Sequence, residues 1–201
     1  MTIALILTIS RVVISPIFIL FYLYYDKMGL NMVGMSLVLI SLLALSEVTD
    51  FLDGFFARRY NEVTELGKVL DPMCDSIARL SILLGFTQGI VQLPLLLVLV
   101  FFYRDSVIST LRTLCALRGV ALAARISGKV KAVIQGASAF VIIIAIFFYS
   151  LDFLSLKEMR LISFYMISVT AAYTLFSGVE YLMANRHFIK KAWVSAPQSK
   201  F

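Results

Sequence analysis

The 201-residue sequence predicts an all-α integral membrane protein, six transmembrane helices forming a single domain over residues 1–201. Three observations carry that expectation. Mean hydropathy is +0.94 and only 15% of residues are charged, well outside the range of soluble globular chains. Apolar runs of about 20 residues, the length that crosses bilayer hydrocarbon, recur along the chain. Lysine and arginine concentrate in alternate connectors, as in a chain that threads a membrane repeatedly.

The first span is expected at 3–25. The segment MTIALILTISRVVISPIFILFYLYY has neither the basic start nor the small-residue cleavage site of a signal peptide, so it reads as a retained helix. Further spans are expected at 32–57, 69–90, 92–116, 130–151 and 161–184, punctuated by Gly29, Gly67, Gly89, Pro94 and Gly128. The connectors leave no room for a second domain, and no repeat or low-complexity tract is present. Cys74 and Cys115 sit in apolar segments without CxxC spacing and read as small buried hydrophobes.

Orientation follows from the cations. Arg58, Arg59, Lys68, Arg118, Arg125, Lys129, Lys131, Arg186, Lys190, Lys191 and Lys200 fall on one side, against Lys27, Lys157 and Arg160 on the other. That bias puts both termini in the cytoplasm of a cell whose inner (plasma) membrane the chain crosses. A net charge of +6 biased to one face suits anionic lipids and anionic substrates, and at this hydropathy it is no nucleic-acid signal. Arg11, Arg79, Arg104 and Arg112 lie inside or at the ends of spans and need another reason.

Seven of the 12 acidic residues lie between positions 47 and 75. A carboxylate at the centre of a membrane helix costs about 2.5–3.5 kcal/mol, whereas a good apolar residue returns only about 0.3–0.6. Four aspartates would cancel a span's apolar content unless they faced a polar interior at the cytoplasmic side. On a helix, Asp50 and Asp53 stand about 60° apart and Asp71 and Asp75 about 40° apart, so each pair shares a face. Gly54 and Ala57 continue the first face and let a neighbour approach the backbone. Oxygen ligands without His or Cys suit Mg²⁺, Mn²⁺ or Ca²⁺, and four carboxylates suffice for two ions. The blander reading is that Asp71 caps a helix opened by Pro72. It leaves Asp50 and Asp53 unexplained, because they come late in their helix, where the macrodipole disfavours negative charge.

Asp50, Asp53, Gly54, Ala57, Arg58, Gly67, Asp71 and Asp75 reproduce the pattern D-x2-D-G-x2-A-R-x8-G-x3-D-x3-D, which resembles the signature of the CDP-alcohol phosphotransferases. The resemblance implies a six-helix membrane enzyme, usually a homodimer requiring Mg²⁺ or Mn²⁺, that transfers a phosphatidyl or similar group from a CDP-linked donor to an alcohol and releases CMP. It implies that Asp50, Asp53, Asp71 and Asp75 bind metal, two ions being expected, and that Asp75 is also the general base. It places Asp50, Gly54, Ala57, Arg58, Thr64 and Gly67 against the CDP donor.

Later segments, RDSVISTLR, GKVKAVIQ and SGVEYLMANRH, together with the N-terminal LTISRVVISP, resemble the family branch whose donor is CDP-diacylglycerol and whose acceptor is sn-glycerol 3-phosphate. That branch commonly carries Lys after the last aspartate, where this chain has Ser76, and Pro-Asn where it has Ala4-Leu5. Inositol phosphate or serine as acceptor would use the same chemistry. A phosphorylated acceptor needs cations beside the metals, and Arg104, Arg112, Lys129 and Lys131 could supply them; their alternative role is interface anchoring.

Arg11 could line either substrate site or reach the interface, and Arg79 could be a counter-ion to the aspartates or an anchor. Glu180 could order a cation or reach the interface; His187 reads as solvated or lipid-facing. A rival from another class is a divalent-cation transporter, since intramembrane carboxylates also mark ion paths. It requires polar residues through the whole membrane depth, and here the outer halves of the spans are nearly uncharged.

Overall fold

The computed structural model describes the backbone of residues 3–59, 65–117 and 125–194, and their side chains apart from 3–5, 51, 53–59, 65–71, 116–117 and 190–194. Six long helices account for nearly all of it: α1 (Ile3–Tyr24), α2 (Met32–Arg59), α3 (Glu65–Gly85), α4 (Leu95–Leu117), α5 (Ile126–Ser150) and α6 (Leu156–Val194). A single 3₁₀ turn, Asp26–Met28, joins α1 to α2. No strand occurs among the described residues.

Four of the helices, α1, α2, α5 and α6, are long and apolar enough to cross a membrane on length and composition. The other two are of similar length, at 21 and 23 residues, but are broken by charge. Within α4 stand Arg104, Asp105 and Arg112, and within α3 Lys68, Asp71, Asp75 and Arg79. The protein is multi-pass, and the two charged helices are those that furnish most of the polar site.

Helix starts depart from the apolar runs where local hydrogen bonding takes over. Chain entry to α6 is set by a reciprocal box: Glu158 Oε2 accepts from Ser155 N–H at 2.8 Å, and Glu158 N–H donates to Ser155 Oγ at 3.3 Å. The helix therefore begins at Leu156 rather than 161. Asn31 caps α2 by accepting from Gly34 N–H at 2.7 Å. The third helix starts at Glu65, so Asp71 and Pro72 lie inside it. Asp71 is consequently not a cap, and α3 carries its proline internally, as membrane helices tolerate.

The helices close into a ring. Around it the order is α1, α2, α5, α6, α4, α3, with α3 returning to α1 and also touching α5 across the interior. Apolar packing fills one half of this ring, the half bounded by connectors 25–31, 86–94 and 151–155. There Phe18, Tyr22, Met35, Leu39, Leu83, Phe86, Phe101, Ile142, Ile143, Ile146, Met159 and Ile167 are completely or almost completely buried. Phe86 meets Phe18 and Tyr22 edge-on, with centroids 5.8 and 5.4 Å apart.

Tyr22 ties this end together. Its hydroxyl donates to Gln88 C=O at 3.0 Å and accepts from Val91 N–H at 3.1 Å, while Arg160 Nε donates to Ile90 C=O at 2.8 Å. Gly89 adopts φ +65° against the Tyr22 ring, a left-handed conformation that glycine reaches without steric cost. Ser36, Ser163 and Thr174 are buried hydroxyls satisfied by the carbonyl one turn back. Ser138 and Thr170 also bond each other at 2.6 Å, joining α5 to α6. The other half of the ring is polar, and it holds the site.

Candidate active site

Arg11 stands at the centre of α1, 3% exposed, and its Nη1 hydrogen-bonds both Asp50 on α2 and Asp75 on α3. Two carboxylates from neighbouring helices thus converge on one positive nitrogen. Arg79, one turn beyond Asp75, brings Nη2 within 4.0 Å of the other Asp50 oxygen. Of the two roles open to each of these arginines, the geometry agrees with the one beside the aspartates.

A second charged group lies next to the first. Asp105 is buried and accepts from Lys131 Nζ at 2.8 and 3.0 Å, from Arg104 Nη1 at 2.9 Å and from Ser76 Oγ at 3.4 Å. Arg104 Nη2 reaches on to Ser177 Oγ of α6 at 3.3 Å. Room for the guanidinium comes from glycine on both sides: a Cβ at Gly178 would lie 3.2 Å from Arg104 Cγ, and one at Gly128 3.4 Å from Nη2. The buried Asp105 carboxylate is tolerated because two cations match its charge and hydrogen-bond it.

The two groups share a cavity of about 160 Å³, lined by Asp75, Ser76, Arg79, Arg104, Asp105, Lys131 and Gln135 with Pro72, Gly128 and Ala132. Side chains of three helices, α3, α4 and α5, therefore meet where the apolar core stops. Its size matches a small polar group, and its surplus of cations over carboxylates suits an anion. Beside it, Arg104 also borders an apolar groove of about 530 Å³ between α4 and α6, walled by residues such as Leu99, Tyr103, Val107 and Leu175.

The sequence-expected residues are not all brought together. Asp50, Asp75, Arg104 and Lys131 are. Arg112 and Lys129 do not line the cavity: Lys129 is exposed, and Arg112 stands two turns along α4 from Arg104. The side chains of Asp53, Gly54, Ala57, Arg58, Gly67 and Asp71, and the whole of Thr64, lie outside the described residues. Glu180 pairs with Arg125 at 3.3 Å, toward the helix end, and His187 is exposed beside Phe188. Both cysteines are buried, as expected. Sequence reasoning passed over Gln135 and Ser177, and met Ser76 only as a departure from the family branch; the i, i+4 spacing of Lys131 and Gln135 was the available signal.

Among the described residues no three acidic, His or Cys groups form a metal cluster. The donors that are described nonetheless fit a hard cation. Asp50 and Asp75 offer only oxygen, and they already close around a single positive nitrogen of Arg11.

Comparison with known proteins identifies the family. A family model described as CDP-alcohol phosphatidyltransferase matches residues 1–179. A CDP-diacylglycerol–glycerol-3-phosphate 3-phosphatidyltransferase of Bacillus subtilis (strain 168) is 30% identical over 197 residues, covering 92% of this chain and 95% of its own. A protein of the same description from Rickettsia typhi is 32% identical over 131 residues, 64% of this chain and 68% of its own. A cardiolipin synthase (CMP-forming) of Streptomyces coelicolor is 39% identical over 108 residues, 54% of this chain and 48% of its own. With the aspartate signature, the all-helical membrane fold and a match over most of its length, the chain belongs to the CDP-alcohol phosphatidyltransferase family and is a membrane phosphotransferase.

Proposed function

We propose that this enzyme transfers the phosphatidyl group of CDP-diacylglycerol to sn-glycerol 3-phosphate, giving phosphatidylglycerolphosphate and CMP. It would do so as a homodimer using Mg²⁺ or Mn²⁺, with the site on the cytoplasmic side of the inner membrane. The observation that carries the reading is the convergence of Asp50 and Asp75 on one point, directly beside a cavity bearing Arg79, Arg104 and Lys131. Carboxylates that gather cations and cations that gather phosphate are the two halves of a phosphotransfer site. The names of the Bacillus and Rickettsia relatives support the choice of acceptor.

Asp50, Asp53, Asp71 and Asp75 would hold the ions. Two divalent cations there would supply neutralisation of the donor diphosphate and of the charge that builds on the entering and leaving oxygens. Asp75 takes the proton of the acceptor's primary hydroxyl. That oxygen forms a bond to the phosphorus carrying diacylglycerol, the bond from this phosphorus to the bridging oxygen breaks, and CMP departs with the electron pair. Arg104 and Lys131 hold the acceptor's phosphate, with Arg112 and Lys129 attracting it at the approach, and Asp105 fixes the first two in place. Arg58, Gly54, Ala57, Thr64 and Gly67 bind the CDP portion.

A cation path across the membrane finds no support. The buried charged residues among those described are Arg11, Asp105 and Lys131, all in the polar half, and the far half is closed by apolar packing.

Purified protein in detergent micelles with Mg²⁺ or Mn²⁺ is given CDP-diacylglycerol with glycerol 3-phosphate, inositol phosphate or serine in parallel, and the lipid product is identified by mass. Phosphatidylglycerolphosphate is expected. A different lipid refutes the acceptor assignment, and no CMP with any acceptor refutes the reaction. Asp75→Asn should abolish CMP release, and wild-type turnover in that variant would remove Asp75 as the base.

A further inference from the structure

We infer that Gln135 reads the hydroxyl of the acceptor that is not attacked, and so sets the enzyme's preference for a phosphorylated polyol over a simple phosphorylated alcohol. The inference rests on the proposed reaction and adds a specificity determinant to it. Gln135 is 1% exposed, and neither its Nε2 nor its Oε1 has a hydrogen-bond partner. An amide with both ends desolvated and unpaired is unfavourable, and buried polar groups in folded proteins nearly always find partners.

The position says where the partner comes from. Gln135 follows Lys131 by one turn of α5, on the same face, and lines the cavity that also holds Asp75, Arg104 and Lys131. Its other side borders a hollow of about 10 Å³ shared with Glu47 and Arg79. That space suits about one water, which can serve part of an amide that has two donor hydrogens and two acceptor sites. The same side chain also lines the larger cavity, the nearest place from which a further partner can come.

Among the cavity's polar side chains the charges are assigned by chemistry. Cations take phosphate, and Asp75 takes the proton of the attacking hydroxyl. Gln135 is the neutral group there that both donates and accepts strongly at fixed positions, which is what a second hydroxyl requires. Ser76, the other neutral member, is already engaged with Asp105. A site built to pair a substrate hydroxyl discriminates against the analogue lacking it, because its own polar atoms are then left unpaired.

The test compares kcat/KM for sn-glycerol 3-phosphate and for 3-hydroxypropyl phosphate, which keeps the phosphate and the attacking hydroxyl but lacks the middle one. Wild type should prefer the former by about tenfold or more, as one or two hydrogen bonds warrant. Gln135→Met and Gln135→Leu, near glutamine in volume, should bring the ratio within about twofold of unity by weakening glycerol 3-phosphate selectively. A structural defect would lower both acceptors together and leave the ratio unchanged. A wild-type ratio near unity, or a wild-type ratio kept by either variant, overturns the assignment. Absence of wild-type transfer to both acceptors would instead refute the proposed reaction itself.

Discussion

Replacing Asp105 by Asn should destabilise the protein strongly, and removing Lys131 as well should restore part of the loss. Lys131 is 4% exposed, and its ammonium lies 2.8 and 3.0 Å from the two Asp105 oxygens. Deleting one partner of such a buried pair costs about 3–5 kcal/mol, because the remaining charge is neither solvated nor matched. Asparagine retains a carbonyl acceptor, so the lower figure of about 3 kcal/mol applies. For a chain of this length that corresponds to a fall in Tm of roughly 6–12 °C. In Asp105→Asn/Lys131→Met the stranded ammonium is gone, and the double variant should regain about 1.5 kcal/mol or more relative to additivity. Cys74 and Cys115 are both buried and provide the readout: a thiol-reactive fluorophore labels them as the fold opens on heating in detergent. A shift under about 2 °C in the single variant, or strict additivity in the double, would show that the pair is not the electrostatic unit described here.

Arg11→Met leaves Asp50 and Asp75 facing each other without their shared cation, so its Tm should drop in chelator and recover when Mg²⁺ or Mn²⁺ is added. An equal loss under both conditions would argue against a divalent cation held where Arg11 joins Asp50 and Asp75. Tyr22→Phe removes one acceptor for Val91 N–H and one donor to Gln88 C=O, and should cost about 1–3 kcal/mol, measurable by the same thiol assay, while catalytic rates at low temperature stay near wild type. Gly89→Ala forces a non-glycine residue to φ +65° and a methyl to 3.0 Å from the Tyr22 ring; a Tm unchanged within about 1 °C would contradict that packing.

Much of the fold was legible because membrane helices declare themselves by length and apolarity, and the aspartates by their cost. What the sequence left open was direction in space. Arg104 and Arg112 are about 80° apart around an ideal helix, which allowed both to face one cleft; helix packing brings only Arg104 into it, where Gly128 and Gly178 make room. Arg11 was ambiguous because a lone arginine mid-span has the same sequence context whether it turns inward or outward. Its role appears only when α2 and α3 flank α1. Gln135 escaped notice for a different reason: a neutral amide carries little hydropathy penalty, so only its unpaired burial singles it out. The start of α6 was misplaced because an apolar count does not register Ser155 and Glu158, whose mutual hydrogen bonds begin the helix.

Ring order also has a bearing on biogenesis. The chain visits α1, α2 and α3, passes to α4 beside α3, and must then insert α5 between α2 and α6 before the circle closes. Until α5 arrives, Asp105 has Arg104 but not Lys131; until α6 arrives, Arg104 lacks Ser177. A chain halted after α4 therefore holds Asp105 and Arg104 each with one partner residue still unsynthesised. The side chains that meet at the polar cavity thus also report, during synthesis, whether the last two helices have taken their places.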